Sequence, residues 1–85
     1  MFKAKINVTL KESVLDPQGK TILNALGTLG INGVKDVRVG KYFVLNLDTS
    51  NRAQAEEHVR KICDKLLVNP VIEKYELISL EGEGR

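Results

Sequence analysis

The sequence predicts an α+β domain in which a four-stranded antiparallel sheet carries two helices on one face. Three patterns lead to this fold class. Residues 2–11 alternate between apolar and polar side chains without a break, residues 36–48 alternate on either side of a glycine, and two other segments repeat apolar side chains at intervals of three and four residues. The resulting element order is βαββαβ, and its right-handed crossovers favour the ferredoxin-like arrangement.

The first strand has one apolar face and one polar face. The polar positions of residues 2–11 include three lysines, and the apolar positions are Phe2, Ala4, Ile6, Val8 and Leu10. Successive side chains point to opposite sides of a strand, so the apolar set is expected in the core. The lysine face is either exposed to water or part of a polar protein interface.

The first helix is predicted to begin after Asp16 and to stop at Gly30. Aspartate accepts hydrogen bonds from the free backbone amides at a helix start, and Pro17 occupies the first helical position, where no donor is needed. An apolar stripe follows, consisting of Ile22, Leu23, Leu26 and Leu29. Glycine at position 30 is typical of a helix end.

Residues 36–48 predict a hairpin of two short strands. Val37 and Val39 precede a two-residue turn at Gly40 and Lys41, and glycine in the first turn position matches a type II′ turn. The strand after the turn alternates, with apolar side chains at Phe43, Leu45 and Leu47. These strands are expected to be the second and third of the sheet.

The second helix is predicted to run from Asn51 to just before Pro70. Asn51 and Gln54 resemble a capping box. The apolar stripe of this helix consists of Ala55, Val59, Ile62 and Leu66. The last strand, residues 71–80, breaks the alternation, so it is either bulged or covered on both faces.

One domain over residues 1–80, followed by a frayed polar tail over residues 81–85, fits the length of the chain. A net charge of +2 is too small to indicate a nucleic-acid or membrane partner. The single cysteine argues against an intrachain disulfide and a cysteine-based metal site. No apolar run approaches the roughly 18 residues that span a bilayer, and the first residues lack a signal-peptide core, so a cytoplasmic location is expected.

The sequence contains no recognisable set of catalytic residues. His58 and Cys63 are the only residues of their types, and five positions along one helix place them about 140° apart, which rules out a nucleophile pair. Phosphate-loop and zinc-site spacings are missing. Asp16, Asp36 and Asp48 are better explained as cap or turn residues. No catalytic, cofactor-binding or metal-binding residue is therefore predicted.

Two segments resemble the PurS family, the small subunits of bacterial and archaeal phosphoribosylformylglycinamidine synthase. They are residues 8–20, V-T-L-K-E-S-V-L-D-P-Q-G-K, and residues 36–42, D-V-R-V-G-K-Y. The resemblance also extends over almost the whole chain in length and element order.

The resemblance implies a function in purine synthesis, where the complex converts formylglycinamide ribonucleotide (FGAR) to the amidine (FGAM) with ATP and glutamine. A glutaminase subunit releases ammonia, and a synthetase subunit that uses ATP and Mg²⁺ activates the substrate. The small subunit is implied to bind no cofactor and to do no chemistry. It forms dimers or tetramers and bridges the other two subunits. We expect it to help seal or position the ammonia path, because ammonium formed in water lacks the lone pair needed for attack.

The matching segments also supply five candidate partner contacts: Asp16, Gln18, Arg38, Lys41 and Tyr42. Asp16 and Gln18 are at the predicted start of the first helix, and the other three surround the predicted turn. Arginine and tyrosine are frequent interface anchors. Each residue also has a local explanation, as a helix cap, a first-turn residue, a solvated charge or a packed sheet residue.

Two other functions share this element order. A ligand-sensing module of the ACT type would bind a small molecule at a dimer interface and be stabilised by it. An acylphosphatase-like enzyme would need an arginine-containing phosphate loop after the first strand, and residues 11–15 contain neither arginine nor glycine.

Overall fold

The computed structural model describes residues 1–82, which form a three-stranded antiparallel sheet and two α-helices. The second helix continues into a π-helical turn. In chain order the elements are β1 (Phe2–Leu10), α1 (Pro17–Thr28), β2 (Gly40–Leu47), α2 (Arg52–Ile62), the π-helical turn (Cys63–Leu67) and β3 (Glu73–Gly82). Strand β1 lies between β2 and β3. The predicted α+β class is confirmed.

The hydrophobic core lies between the apolar face of β1 and helix α2. The alternation in β1 has the predicted effect, because its buried residues are Phe2, Ala4, Ile6 and Val8. The second helix and its π-helical turn bury three residues in the same cluster, Ala55, Val59 and Cys63. The cluster is completed by Leu47, Val68 and Leu80.

The predicted hairpin is wrong, because the second of the four predicted strands, which precedes Gly40, is not part of the sheet. Gly40 is the first residue of β2 and pairs with Thr9, so the chain does not turn back there. Glycine is needed for a different reason, since a Cβ atom at Gly40 would lie 2.7 Å from the carbonyl oxygen of Val8 on the neighbouring strand. Residues 31–39, which include the predicted strand, pair with no strand of the described chain.

Helix α1 has the predicted ends. Asp16 is its N-cap and accepts a hydrogen bond from the amide of Gly19, with proline at the next position. Beyond the C-terminus, Gly30 has φ of +77°, and the amide of Ile31 donates to the carbonyl oxygen of Leu26 at 2.9 Å. These two features form a Schellman motif, which requires a residue that tolerates positive φ.

The apolar stripe of α1 does not join the core, so the prediction that both helices cover the sheet holds only for α2. No α1 residue belongs to the buried cluster or to the partly buried residues packed against it, and Leu29 is 73% exposed. Helix α1 and the segment that returns to the sheet form a projection, residues 17–39, which we call the arm. The radius of gyration is therefore 16.6 Å, against about 12 Å for a compact chain of this length.

The π-helical turn at the end of α2 moves one residue of the predicted stripe out of the core. The amide of Val68 donates to the carbonyl oxygen of Cys63, five residues back, as in a π-helix. The wider turn leaves Leu66 79% exposed, while Val68 is buried. The start of α2 is as predicted, because Asn51 accepts from the amide of Gln54 at 3.1 Å.

Strand β3 is bulged, which was one of the two alternatives for its broken alternation. Lys5 pairs with Ser79 while Ile6 pairs with Leu77, so Ile78 is the extra residue. The strand continues to Gly82 and includes the first two residues of the predicted tail, whereas the other three lie outside the described residues. Within the described chain, no helix has the length and apolar character to cross a membrane.

Candidate assembly surface

Asp16 joins two parts of the chain that are far apart in sequence. Its Oδ1 accepts from the amide of Gly19 at 3.0 Å, and its Oδ2 accepts from the amide of Val39 at 2.7 Å. The residue is only 6% exposed. The hydrogen bond from Gly19, then the one from Val39 and the nearby Arg38 guanidinium, hold the pKa of the carboxyl group below its ordinary value. The carboxylate is therefore ionised at neutral pH, and both of its oxygens have partners within the chain.

Arg38 ties the returning segment of the arm to the loop that follows β1. Its Nη2 donates to the carbonyl oxygen of Lys11 at 3.0 Å and lies 3.4 Å from that of Val14 and 3.5 Å from that of Leu10. The contact with Lys11 is the shortest of the three and has the usual length of a hydrogen bond. The arginine residue as a whole is exposed.

Gly19 allows the first turn of α1 to lie directly on the returning segment. A Cβ atom there would overlap the carbonyl oxygen of Val37 and lie 2.8 Å from Oδ2 of Asp16. Any larger residue would therefore push the helix and the segment apart. We call the group formed by Asp16, Gly19, Arg38 and Val39 the arm root.

Gln18 and Lys41 line one cavity together with Asp16. The cavity has a volume of about 270 Å³ and lies between the start of α1 and the start of β2. Lys41 also forms an ion pair with Glu73, with 3.5 Å between Nζ and Oε2, which joins the two outer strands across β1. The structure thus brings four of the five candidate residues, Asp16, Gln18, Arg38 and Lys41, to the arm root or its immediate neighbourhood.

Tyr42 lies apart from the other four candidates, on the opposite face of the sheet. It pairs with Asn7 of β1 and is 57% exposed. The same face carries Lys3 and Lys5, which are partly buried. The assignment of the five candidates as partner contacts stays a prediction.

The arm exposes a set of apolar side chains that sequence reasoning missed as a surface. They are Ile22, Leu29, Ile31 and Val34. The periodicity of α1 showed an apolar stripe, but an amphipathic pattern does not specify whether the covering surface belongs to the same chain. A second signal was available, because residues 31–39 contain three valines and one isoleucine, a composition typical of a strand.

The cysteine and the histidine of this chain lie in different surroundings. Burial raises the pKa of the Cys63 thiol, so the thiol stays protonated and weakly nucleophilic at neutral pH. His58 lies on the exposed side of α2. Among residues 1–82, no group of three or more His, Cys, Asp or Glu side chains is placed to hold a metal ion.

Comparison with known families identifies the chain. Residues 3–81 match the model of the PurS family, described as phosphoribosylformylglycinamidine (FGAM) synthase. The chain belongs to the PurS family. The resemblance inferred from two segments of the sequence is thereby confirmed.

Known members of the PurS family match this chain over nearly its full length. The phosphoribosylformylglycinamidine synthase subunit PurS of Bacillus subtilis is 49% identical over 75 residues, which is 88% of each chain. The crystal structure of Methanocaldococcus jannaschii PurS, one of the subunits of formylglycinamide ribonucleotide amidotransferase in the purine biosynthetic pathway, has a TM-score of 0.86 and 40% identity and covers 99% of this chain and 100% of that one. The structure of PurLQS from Thermotoga maritima has a matching chain with a TM-score of 0.82 and 40% identity, covering 94% of both chains.

Proposed function

We propose that this chain is the small, non-catalytic subunit of phosphoribosylformylglycinamidine synthase and bridges its glutaminase and synthetase subunits. The complex converts FGAR to FGAM with ATP and glutamine in de novo purine biosynthesis. The observation that carries this proposal is the PurS match over residues 3–81, and the likeness to a chain of PurLQS supports it. ATP and Mg²⁺ are used by the synthetase subunit, and the complex works in the cytoplasm.

The chain contributes enclosure and alignment to the reaction. Ammonia that escapes into neutral water is largely protonated, and ammonium has no lone pair with which to attack the activated substrate. A subunit that seals or positions the path between the two active sites keeps the nucleophile reactive and excludes water from the intermediate. The protonated, buried thiol of Cys63 and the surface position of His58 are consistent with a role of this kind.

Self-association into a dimer or tetramer is the second part of the proposal, and the arm supports it. The arm carries four exposed apolar residues outside the core, and its returning segment, residues 31–39, pairs with no strand in the part of the chain that the structure describes. A second copy would remove these side chains from water and offer a strand to the unpaired backbone groups.

The bridging role is tested by reconstitution. Purified glutaminase and synthetase subunits are assayed for FGAM formation with and without this chain, using either glutamine or ammonium chloride as the nitrogen source. Glutamine-dependent synthesis should require this chain, because the two active sites must be aligned. Ammonia-dependent synthesis by the synthetase should need it far less.

Two results would contradict this proposal. Equal glutamine-dependent activity without the chain would show that the two larger subunits align by themselves. An equal loss of both activities without the chain would mean that it supports the chemistry of the synthetase directly. A variant of His58, His58→Ala, serves as a control and should leave both activities unchanged, since the side chain is exposed on α2.

A further inference from the structure

We propose that Asp16 and Arg38 are positioning residues that fix the direction in which the arm leaves the sheet, and so hold its apolar side chains ready for a second copy of the chain. This inference rests on the self-association proposed above. It also gives these two residues a different role from that of direct partner contacts.

At the arm root, the residues that precede the helix and the residues that end the returning segment are joined by two side-chain hydrogen bonds. Asp16 precedes the outgoing helix of the arm and accepts from the amide of Val39, at the end of the returning segment, over 2.7 Å. Arg38, in the returning segment, donates to the carbonyl oxygen of Lys11, which precedes the helix, over 3.0 Å. Each side of the arm therefore holds the other, and the two bonds link residues that are 23 and 27 positions apart in sequence.

The carboxylate of Asp16 has little capacity left for a partner. One oxygen accepts from Gly19 and the other from Val39, and the residue is almost fully buried. Hydrogen bonds between an ionised acceptor and backbone amides are stronger than neutral ones, and losing one at a buried site leaves an amide without an acceptor. The helix backbone at Gly19 also lies directly against the backbone of Val37, so the two sides of the arm are in contact at this point.

The hydrogen bonds that attach the arm to the rest of the described chain lie at its root, where α1 begins and the returning segment ends. None of the α1 residues joins the core cluster, and residues 31–39 join no strand of the described sheet. A loosely held arm would have to be ordered when a second copy binds, and that ordering would reduce the affinity. A root that already fixes the arm in one direction removes this loss of entropy from the binding step.

The variant Asp16→Ser tests the position of the arm while it keeps the N-cap of α1. Serine is a good N-cap and can still accept from Gly19, but it has one side-chain oxygen and cannot also reach Val39. Asn51→Ser at the N-cap of α2 is the matched control, because Asn51 accepts from Gln54 and makes no bond to the arm. Arg38→Met is a second variant that removes the donors at the arm root and keeps an apolar stem.

We expect Asp16→Ser and Arg38→Met to raise the dissociation constant of self-association by about tenfold or more, measured by sedimentation equilibrium, while far-UV circular dichroism shows unchanged helix content. Asn51→Ser should leave the dissociation constant within about twofold of the wild-type value. Unchanged affinity in both arm-root variants would overturn the proposal.

The direction of the arm is measured separately from association. Spin labels are attached to Asn32→Cys near the arm tip and Ser50→Cys beside the sheet, in a Cys63→Ala background and diluted into unlabelled chain. The distance distribution should be narrow in the otherwise wild-type chain and broad with Asp16→Ser, and the amide of Val39 should exchange its hydrogen faster in that variant. Weaker association with an unchanged distribution and unchanged exchange would mean that Asp16 contacts the partner directly, which would refute the positioning role.

Different results would contradict the proposed self-association and the proposed positioning role of the arm root. If the wild-type chain stays monomeric at every concentration, the proposed self-association is wrong. In that case a narrow distribution that broadens with Asp16→Ser would still confirm that the arm root sets the direction of the arm. If the wild-type chain associates but its distribution is already broad, the arm is not preset and the positioning role is wrong.

Discussion

Folding favours the ionised carboxylate of Asp16, because each of its oxygens accepts a hydrogen bond from a backbone amide. In the unfolded chain these amides are hydrogen-bonded to water. Its pKa is lowered first by the hydrogen bond from Gly19 and then by the one from Val39. A carboxyl group with a lowered pKa stabilises the folded state at pH values above its ordinary pKa, and this stabilisation is lost as the pH falls through the folded value. The stabilisation from Asp16 is therefore complete at neutral pH, and only its loss on acidification makes the stability of the chain depend on pH.

Thermal unfolding should show this pH dependence. The contribution of the carboxylate is complete above its ordinary pKa of 3.8 and declines below it. Melting temperatures of the wild-type chain and of Asp16→Asn, followed by circular dichroism from about pH 6 to about pH 2, should differ by a constant amount above this value and converge below it. Curves that stay parallel over the whole range would show that folding does not favour the ionised form.

Helix α1 contains two glycines in opposite surroundings, which makes a matched pair of substitutions. A Cβ atom at Gly27 would meet nothing within 4 Å, whereas one at Gly19 would overlap the backbone of Val37. Gly27→Ala should stabilise the helix by about 1 kcal/mol, the usual difference in helix propensity. Gly19→Ala should instead destabilise the chain by about 1–3 kcal/mol, because backbone has to move.

Urea unfolding followed by circular dichroism measures both variants. The expected result is a shift of the two transition midpoints in opposite directions. A stabilising effect of Gly19→Ala would mean that the helix start does not lie against the returning segment. The arm root would then be more open than described.

Features that depend on neighbouring residues were predictable at the scale of single elements. The N-caps at Asp16 and Asn51 and the helix end at Gly30 follow from local hydrogen bonding, so the sequence predicted them correctly. Gly40 was misread because glycine serves both a turn and a close approach between strands, and only the neighbouring strand distinguishes the two. The π-helical turn turns Leu66 away from the core, and the spacing of the predicted apolar stripe did not indicate such a turn.

Two of the five predicted partner contacts lie at the arm root, but the hydrogen bonds that they make there were not predictable. The resemblance to the PurS family selected Asp16 and Arg38, and both lie at the arm root. Their hydrogen bonds connect residues more than 20 positions apart, which periodicity and capping rules do not address. The apolar surface of the arm was missed because the stripe of α1 was assigned to a sheet that it does not cover.

At the scale of the whole molecule, the chain divides its apolar residues between a core and the arm. The core cluster is built from the three strands, α2 and the chain that links α2 to β3, and the arm contributes nothing to it. Charge placed on the arm should therefore disturb association more than folding. The chain offers a well-matched test, because Leu29 in the arm is 73% exposed and Val71, before β3, is 76% exposed.

Leu29→Glu should weaken self-association strongly, whereas Val71→Glu should leave it unchanged. Both variants should unfold within about 0.5 kcal/mol of the wild-type free energy, since neither side chain is buried in one copy. Sedimentation equilibrium and urea unfolding measure the two quantities. Equal weakening by both variants would point to general charge repulsion, and weakening by Val71→Glu alone would move the interface from the arm to the loop before β3.

The bulge in β3 limits the pairing of further strands with this edge of the sheet. Growth of sheets into fibrils needs a straight edge with evenly spaced donors and acceptors. Ile78 interrupts that spacing in the middle of β3, and the charged residues Lys74, Glu76 and Glu81 lie along the same strand. The irregular and charged edge of β3 therefore disfavours the repeated edge-to-edge pairing that builds fibrils.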